Sequence, residues 1–508
     1  MSDNSANNKR IAKNTLMLYI RMLLIMGVNL YTSRIILQAL GVDDFGLYNI
    51  VGGVVVLFTF INNAMVASTQ RFLNYELGRN NPEEAQKVFS ASLSIHFAIA
   101  AIFLILAETV GLWFLNTYIQ IPPGRETAAN WVYQFTIVTS IINIIRTPYN
   151  ASIIAHERMS FYAYISIIEV VLKLLVVYLV YLFADRLISY AALIMIVTFA
   201  VFGGYYLFCR KNFSICQYKF EYNKHRYRSI ASFSGWSLFG STANMGAQQG
   251  LNILLNIFFG VAINAAMGIA NQVCNAIYYF VSNFQTAFNP QIVKTFAAKQ
   301  HDDFHNLIYN TSRYSFFLLF ALALPISIYC PEILNLWLTD VPEYAKEFCI
   351  IMIVSSLFDA LSGPLWMSVY ASGKIKNYQI IISCLLFSTL IFAYVLAKLG
   401  YNPIIVLWIK PLISVIIYLY RIQYCHRNLG LSLIKYSKLV ISKCLLITIV
   451  SVILSFSLSQ LLDNTHIYLI IKVLISLLIT ISSIFLLGLT STEKGLIYYK
   501  YINKTRKQ

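Results

Sequence analysis

Residues 30–53 read LYTSRIILQALGVDDFGLYNIVGG: the end of one apolar helix, a sharp acidic turn (Gly41-Val42-Asp43-Asp44-Phe45-Gly46) and the start of a second helix. The same layout returns 219 residues later, where Gly41-Val42 lands on Gly260-Val261. A second loop, Asn81-Pro82-Glu83-Glu84-Ala85, lands on Gln300-His301-Asp302-Asp303-Phe304 with its paired acids in register. One offset holding across two separate loops predicts two copies of a single unit.

Composition says where that unit lives. The chain is 58% hydrophobic and 12% charged with a mean hydropathy of +0.66, the balance of a protein dissolved mostly in lipid. In a soluble protein the net charge of +17 would suggest nucleic acid. Here the basic residues stand between apolar runs, so they set orientation in a bilayer and meet anionic headgroups, and no nucleic-acid partner is expected. The start, MSDNSANNKRIAKN, is polar and basic without a cleavage site after a short apolar core, so the first span itself should direct insertion. The eight cysteines are scattered, form no C-x-x-C and read as small residues of apolar helices.

Apolar runs long enough to cross hydrocarbon occur fourteen times, at about 15–40, 46–70, 89–115, 129–153, 163–183, 189–209, 231–259, 262–288, 312–337, 347–370, 378–399, 404–424, 439–462 and 468–489. The expected class is therefore an all-α polytopic membrane protein of about 14 transmembrane helices, with two six-helix parallel-repeat lobes and two C-terminal helices. Its parts are a lobe at 1–209, a basic linker at 210–230, a second lobe at 231–425, and two extra helices with a basic tail at 426–508. Loops on the side of the N-terminus hold roughly 26 Lys and Arg, and the opposite loops about four (Arg125, Arg186, Lys346, Lys398). The positive-inside rule then places both termini in the cytoplasm. An even number of helices per copy makes the repeat parallel, with substrate expected near the repeat interface.

An ionisable residue inside a span costs about 2.5–3.5 kcal/mol on insertion scales, so each one marks a protein or water contact. These are Arg21, Arg34, Glu108, Arg146, Glu169, Lys173, Asp359 and Lys410. Five are cationic and three acidic, an excess that suits an anion. Arg21 and Arg146 could instead snorkel to headgroups, and Arg34 could pair with Asp43 or Asp44. Glu169 and Lys173, four residues apart on one face, can neutralise each other or form a gate or coupling pair. Asp359 has no partner nearby in sequence, and Lys410 abuts Pro411, where a broken helix exposes carbonyls. Arg313, Arg421 and Lys472 lie near span ends and read as headgroup contacts.

Span 7 carries an amide stripe, Asn244, Gln248, Asn252 and Asn256, one every four residues, and span 8 adds Asn264, Asn271 and Asn275. Amides donate and accept hydrogen bonds at once, which suits hydroxyl-rich sugars, although amides also glue membrane helices together. His301 and His305 have the spacing of a helical zinc pair. The first copy puts Pro82 and Gln86 there, so the shared feature is a polar helix start and no metal is expected. No P-loop is present, nor a Ser/His or Cys/His catalytic set, so neither an enzyme nor a cofactor is expected.

The basic start, SRIILQALGVDDFGLYNIVGG, and a second span ending STQRFLNYELGR resemble the polysaccharide-export branch of the multidrug/oligosaccharidyl-lipid/polysaccharide exporter (MOP) superfamily. Its members include O-antigen and capsule-repeat flippases. The resemblance implies a transporter in the bacterial inner membrane that moves an undecaprenyl-pyrophosphate-linked oligosaccharide from the cytoplasmic to the periplasmic leaflet. Such a flippase would serve surface polysaccharide such as lipopolysaccharide, alternating access through a cationic cavity. Drug exporters of the superfamily often carry an acid in the first span, where this chain has Arg21 and Arg34. The two extra helices resemble the lipid II flippase branch, which leaves that substrate, or a multidrug cation antiporter, as alternatives. The expected phosphate contacts are Arg34, Arg146 and Lys410. Gln248, Asn252, Asn256, Asn271 and Asn275 would line the sugar path. Asp359, Glu169 and Lys173 would serve a coupling proton or sodium ion.

Overall fold

The computed structural model describes residues 2–56, 59–118, 121, 123–338, 340–461, 466–491 and 493–495. Within them every regular element is helical. The first copy comprises α1 (Ser2–Val56), α2 (Thr59–Gly78), α3 (Pro82–Leu106), which runs through a π turn into α4 (Leu112–Tyr118), α5 (Glu126–Ala155), α6 (Met159–Leu179) and α7 (Arg186–Asn212). The second comprises α8 (Lys224–Phe259), α9 (Val261–Ala297), α10 (His301–Ile328), the short α11 (Cys330–Trp337), α12 (Ala345–Ser372), α13 (Lys376–Lys398) and α14 (Pro403–Leu429). After them come α15 (Leu433–Tyr436), α16 (Ser442–Leu461) and α17 (His466–Ser483). Ten helices among the described residues are long and apolar enough to cross a membrane. The amide-bearing α8 and α9 are not among those ten, because each Asn or Gln lowers their hydropathy.

Local chemistry explains the helix ends. Pro82 and Pro403 open α3 and α14 where a missing N–H does no harm, and Asn81, Asp185 and Asn402 cap their helices through side-chain oxygens. The acidic turn that opens the chain's pattern is clamped by two arginines: Arg125 pairs with Asp44 and Asp185, and Arg186 donates to the Ala39 carbonyl at 3.0 Å. Asp44 is therefore held by Arg125, from a distant loop.

The duplication is visible in the backbone. Gly41 and Gly260 share a left-handed φ (80° and 84°), as do Asn80 and Lys299 (54° and 57°), both pairs at the 219-residue offset. Further along, the offset becomes 216 and whole hydrogen bonds repeat. Ser152 donates to the Pro148 carbonyl at 2.8 Å, and Ser368 to that of Pro364 at 2.7 Å. Cys209 donates to the Tyr149 carbonyl at 3.5 Å, and Cys425 to that of Leu365 at 3.7 Å. Two of the scattered cysteines thus do the same job in each copy: they tie the seventh helix to the proline-containing one.

By packing, the chain divides into two compact units. The first holds residues 1–242 with 286–300 and 370–379; its core joins Leu73, Phe89, Tyr149, Val177, Val201 and Cys209. The second holds residues 243–285, 301–369 and 380–508; its core joins Leu255, Met267, Phe348, Ala393 and Leu407. In the second unit Pro364 deprives the Ala360 carbonyl of its helical partner. Gln285 Nε2 replaces that partner at 3.3 Å, and Gly363 leaves the space the amide needs, since a Cβ there would overlap it. Gly363→Ala should evict Gln285 and cost about 1–3 kcal/mol. Adding Gln285→Leu should then cost little more, a non-additive double-mutant cycle readable in thermal unfolding of the purified protein.

Candidate functional site

Each unit carries a charged cluster built from helices that are otherwise apolar. In the first, Glu169 of α6 accepts from Lys173 at 2.7 Å and from Arg146 of α5 at 3.2 Å. Arg146 also lies over the Tyr205 ring (5.3 Å), and Arg21 of α1 lies over the Tyr162 ring (4.4 Å). Arg21 and Arg146 thus meet aromatic faces and a carboxylate inside the unit, where either could have snorkelled outward. Neutralisation of Glu169 by Lys173 is present, with Arg146 as a third member. Among the described residues the cluster holds three cations and one carboxylate.

In the second unit, Asp359 of α12 feels the positive fields of Arg421 and Lys410, both on α14. Arg421 follows Lys410 by eleven residues, about three helical turns, so the two share a face. The hydrogen-bond acceptor of the Lys410 ammonium among the described residues is the Met352 thioether at 3.1 Å, which leaves donors to spare. Asp359 and Lys410 are crowded by protein atoms and are half-buried. Tyr278 of α9 faces the same carboxylate, and Cys274 one turn away bonds to Ser356 of α12 at 2.7 Å.

The amides lie on the flanks of these helices. On α8, Gly246 and Gly250 face Phe387 and Leu390 of α13, while Leu251 and Leu255 are buried in the core. At about 100° per residue, Gln248 and Asn252 point away from α13. Gln248 is exposed, Asn252 and Asn256 are half-buried, and the buried Asn252 Oδ1 lacks a hydrogen-bond donor. On α9, Asn271 (half-buried) and Asn275 (exposed) stand within roughly 60° of Tyr278, beside the Asp359 cluster. The Arg34 side chain lies outside the described residues.

Three readings of span-end charges need correction. Arg313 is not a headgroup contact: its side chain is 2% exposed and holds Glu493, the Asn310 amide oxygen (3.2 Å) and the Gly488 carbonyl (3.2 Å). It therefore fastens the C-terminal helices to α10. Lys472 is 3% exposed. Arg421 turns toward Asp359, which the eleven-residue spacing from Lys410 could have revealed. For Arg313 the reason is plain: a basic residue near a helix end snorkels only when no carboxylate or carbonyl is nearer than the headgroups. His305, meanwhile, meets the Leu429 carbonyl with Nε2 at 2.8 Å.

Glu169 is the keystone of the first cluster. Glu169→Ala leaves two cations without a counter-charge and should lower stability by about 3 kcal/mol. Lys173→Ala removes a partner that is 37% exposed and should cost under about 1 kcal/mol. Thermal melts in detergent distinguish the two.

Residues 237–395 match the family model MatE. Among curated proteins, none is matched by the sequence. Solved structures match over most of their length. A point variant of the Vibrio cholerae MATE transporter VcmN is 15% identical, with 85% of this chain and 99% of that one covered and a TM-score of 0.72. An outward-facing multidrug resistance MATE transporter of the MOP superfamily is 13% identical (84% and 96% covered, TM-score 0.70). The MATE transporter ClbM in complex with Rb+ is 15% identical (84% and 96% covered, TM-score 0.69). The chain is a multi-pass membrane protein with the fold of the MATE transporters.

Proposed function

We propose that the protein is a flippase. It carries an undecaprenyl-pyrophosphate-linked oligosaccharide from the cytoplasmic to the periplasmic leaflet of a bacterial inner membrane by alternating access, with both termini cytoplasmic. The observation that carries this reading is the charge balance of the two clusters. Among the described residues, Arg146 and Lys173 meet Glu169 with Arg21 on the neighbouring Tyr162 ring, and Lys410 and Arg421 act on Asp359, so cations outnumber carboxylates in both clusters. An anion gains from that surplus, whereas a cationic drug is repelled by about 2 kcal/mol per like charge at ~8 Å and an effective dielectric constant of ~20. Arg34, Arg146 and Lys410 would meet the pyrophosphate, since guanidinium and ammonium groups suit phosphate oxygens. Gln248, Asn252, Asn256, Asn271 and Asn275 would meet sugar hydroxyls. Asp359, with Glu169 and Lys173 in the other unit, would take the coupling proton or sodium ion.

One observation favours a second reading, a multidrug cation antiporter: Asp359 is a carboxylate lining the second cluster beside the amides of α9. A deletion strain separates the two. Re-expressed wild type should restore surface polysaccharide, while Arg146→Ala and Lys410→Ala at equal protein level should reduce it at least tenfold with drug tolerance unaltered. Drug tolerance that follows the gene while surface glycan stays constant would favour the antiporter.

A further inference from the structure

Helices from the two copies are tied together within the first unit by a pair of related contacts at one end. Arg71 of α2 donates to the last carbonyls of α12, Tyr370 (3.1 Å) and Ala371 (2.9 Å), and its guanidinium occupies the space beside Gly373. In the reciprocal direction, the end of α9, which the 219-residue offset maps onto α2, grips the end of α5. Gln291 Nε2 and Lys294 Nζ donate to Glu157 at 2.6 and 2.7 Å. Between the two contacts, Gly78 of α2 lies so close to α9 that a Cβ would stand 2.7 Å from the Lys294 backbone.

Glu157 is the telling residue. It occupies a left-handed conformation (φ 56°) whose counterpart 216 residues on is Gly373 (φ 76°). A side chain is disfavoured in that region, so a glutamate there is retained against backbone strain. Its carboxylate is 2% exposed and ion-paired. A buried, paired carboxylate at a left-handed position is held there by its surroundings against a backbone cost.

We infer that Glu157 with Gln291 and Lys294, together with Arg71 on the α12 carbonyls, forms a two-part latch. The latch holds the ends of α2, α5, α9 and α12 together on the side of the N-terminus and opens once per transport cycle. The inference rests on the alternating-access part of the reading above, but not on the substrate. Its two halves differ in chemistry. The arginine half grips carbonyls whatever side chains stand there, while the ionic half depends on charge, so a charge swap can break and remake it.

The test uses the full chain in membrane vesicles, with Cys384→Ser to remove the exposed native thiol and Asn275→Cys as reporter. Asn275 lies sixteen residues before Gln291, roughly 24 Å along α9 at 1.5 Å per residue. A membrane-impermeant maleimide is applied from the N-terminal side. Glu157→Lys and Lys294→Glu should each raise the labelling rate at least fivefold, and the double swap should return it towards the parent. If a swap variant does not accumulate, Glu157→Gln, which keeps a hydrogen-bonding group but not the charge, should raise labelling in the same direction. Labelling unaltered by every variant, or raised equally in the single and double swaps, overturns the latch. Glycan export is scored separately in the chain that keeps Asn275; its absence there, beside normal labelling behaviour, would sink the saccharide reading alone.

Discussion

A backbone carbonyl inside hydrocarbon must find a donor, because water is not there to supply one and an orphan costs several kcal/mol. The structure meets that demand with specific side chains at several places where a helix departs from regularity or ends. Gln285 serves Ala360 ahead of Pro364, and the Tyr133 hydroxyl serves Ala107 at the π turn of α3, where Gly111 leaves it space. Cys209 and Cys425 donate beside the two prolines, while Arg71, Arg313 and Lys443 reach helix-end carbonyls. These donors come from neighbouring helices. Satisfying one helix therefore fixes the placement of another, and kinks become points of attachment.

The two copies share that scaffold and differ in charge. Prolines, serines and cysteines recur with their hydrogen bonds intact, whereas Arg146, Glu169 and Lys173 have no charged counterparts in the second copy, nor Asp359, Lys410 and Arg421 in the first. What repeats is what a helix bundle in lipid needs to exist. What does not repeat is the set of charges, and it is on those that the proposed binding rests.

Much of this was legible from residues alone. The 219-residue offset reappears as matched left-handed residues, because a turn between helices constrains both sequence and backbone. The pairing of Glu169 with Lys173 follows from their four-residue spacing. The charges near span ends were misread, because position along a helix says nothing about which way the chain's far end folds back. Glu493 reaches Arg313 across 180 residues, and no local pattern announces it. Glu157 was silent for a similar reason: its left-handed backbone and its partners on α9 exist only after folding.

The change of offset from 219 to 216 has a geometric consequence. Pro148 stands 22 residues after the start of α5, and Pro364 only 19 after the start of α12. Three residues are close to the ~3.6 of a single turn, so the proline of α12 sits ~5 Å nearer its starting end while the serine and cysteine bonds around it keep their pattern. Two helices cut from one pattern thus carry their prolines at unequal depths, and any flexing at those points would act on arms of different length.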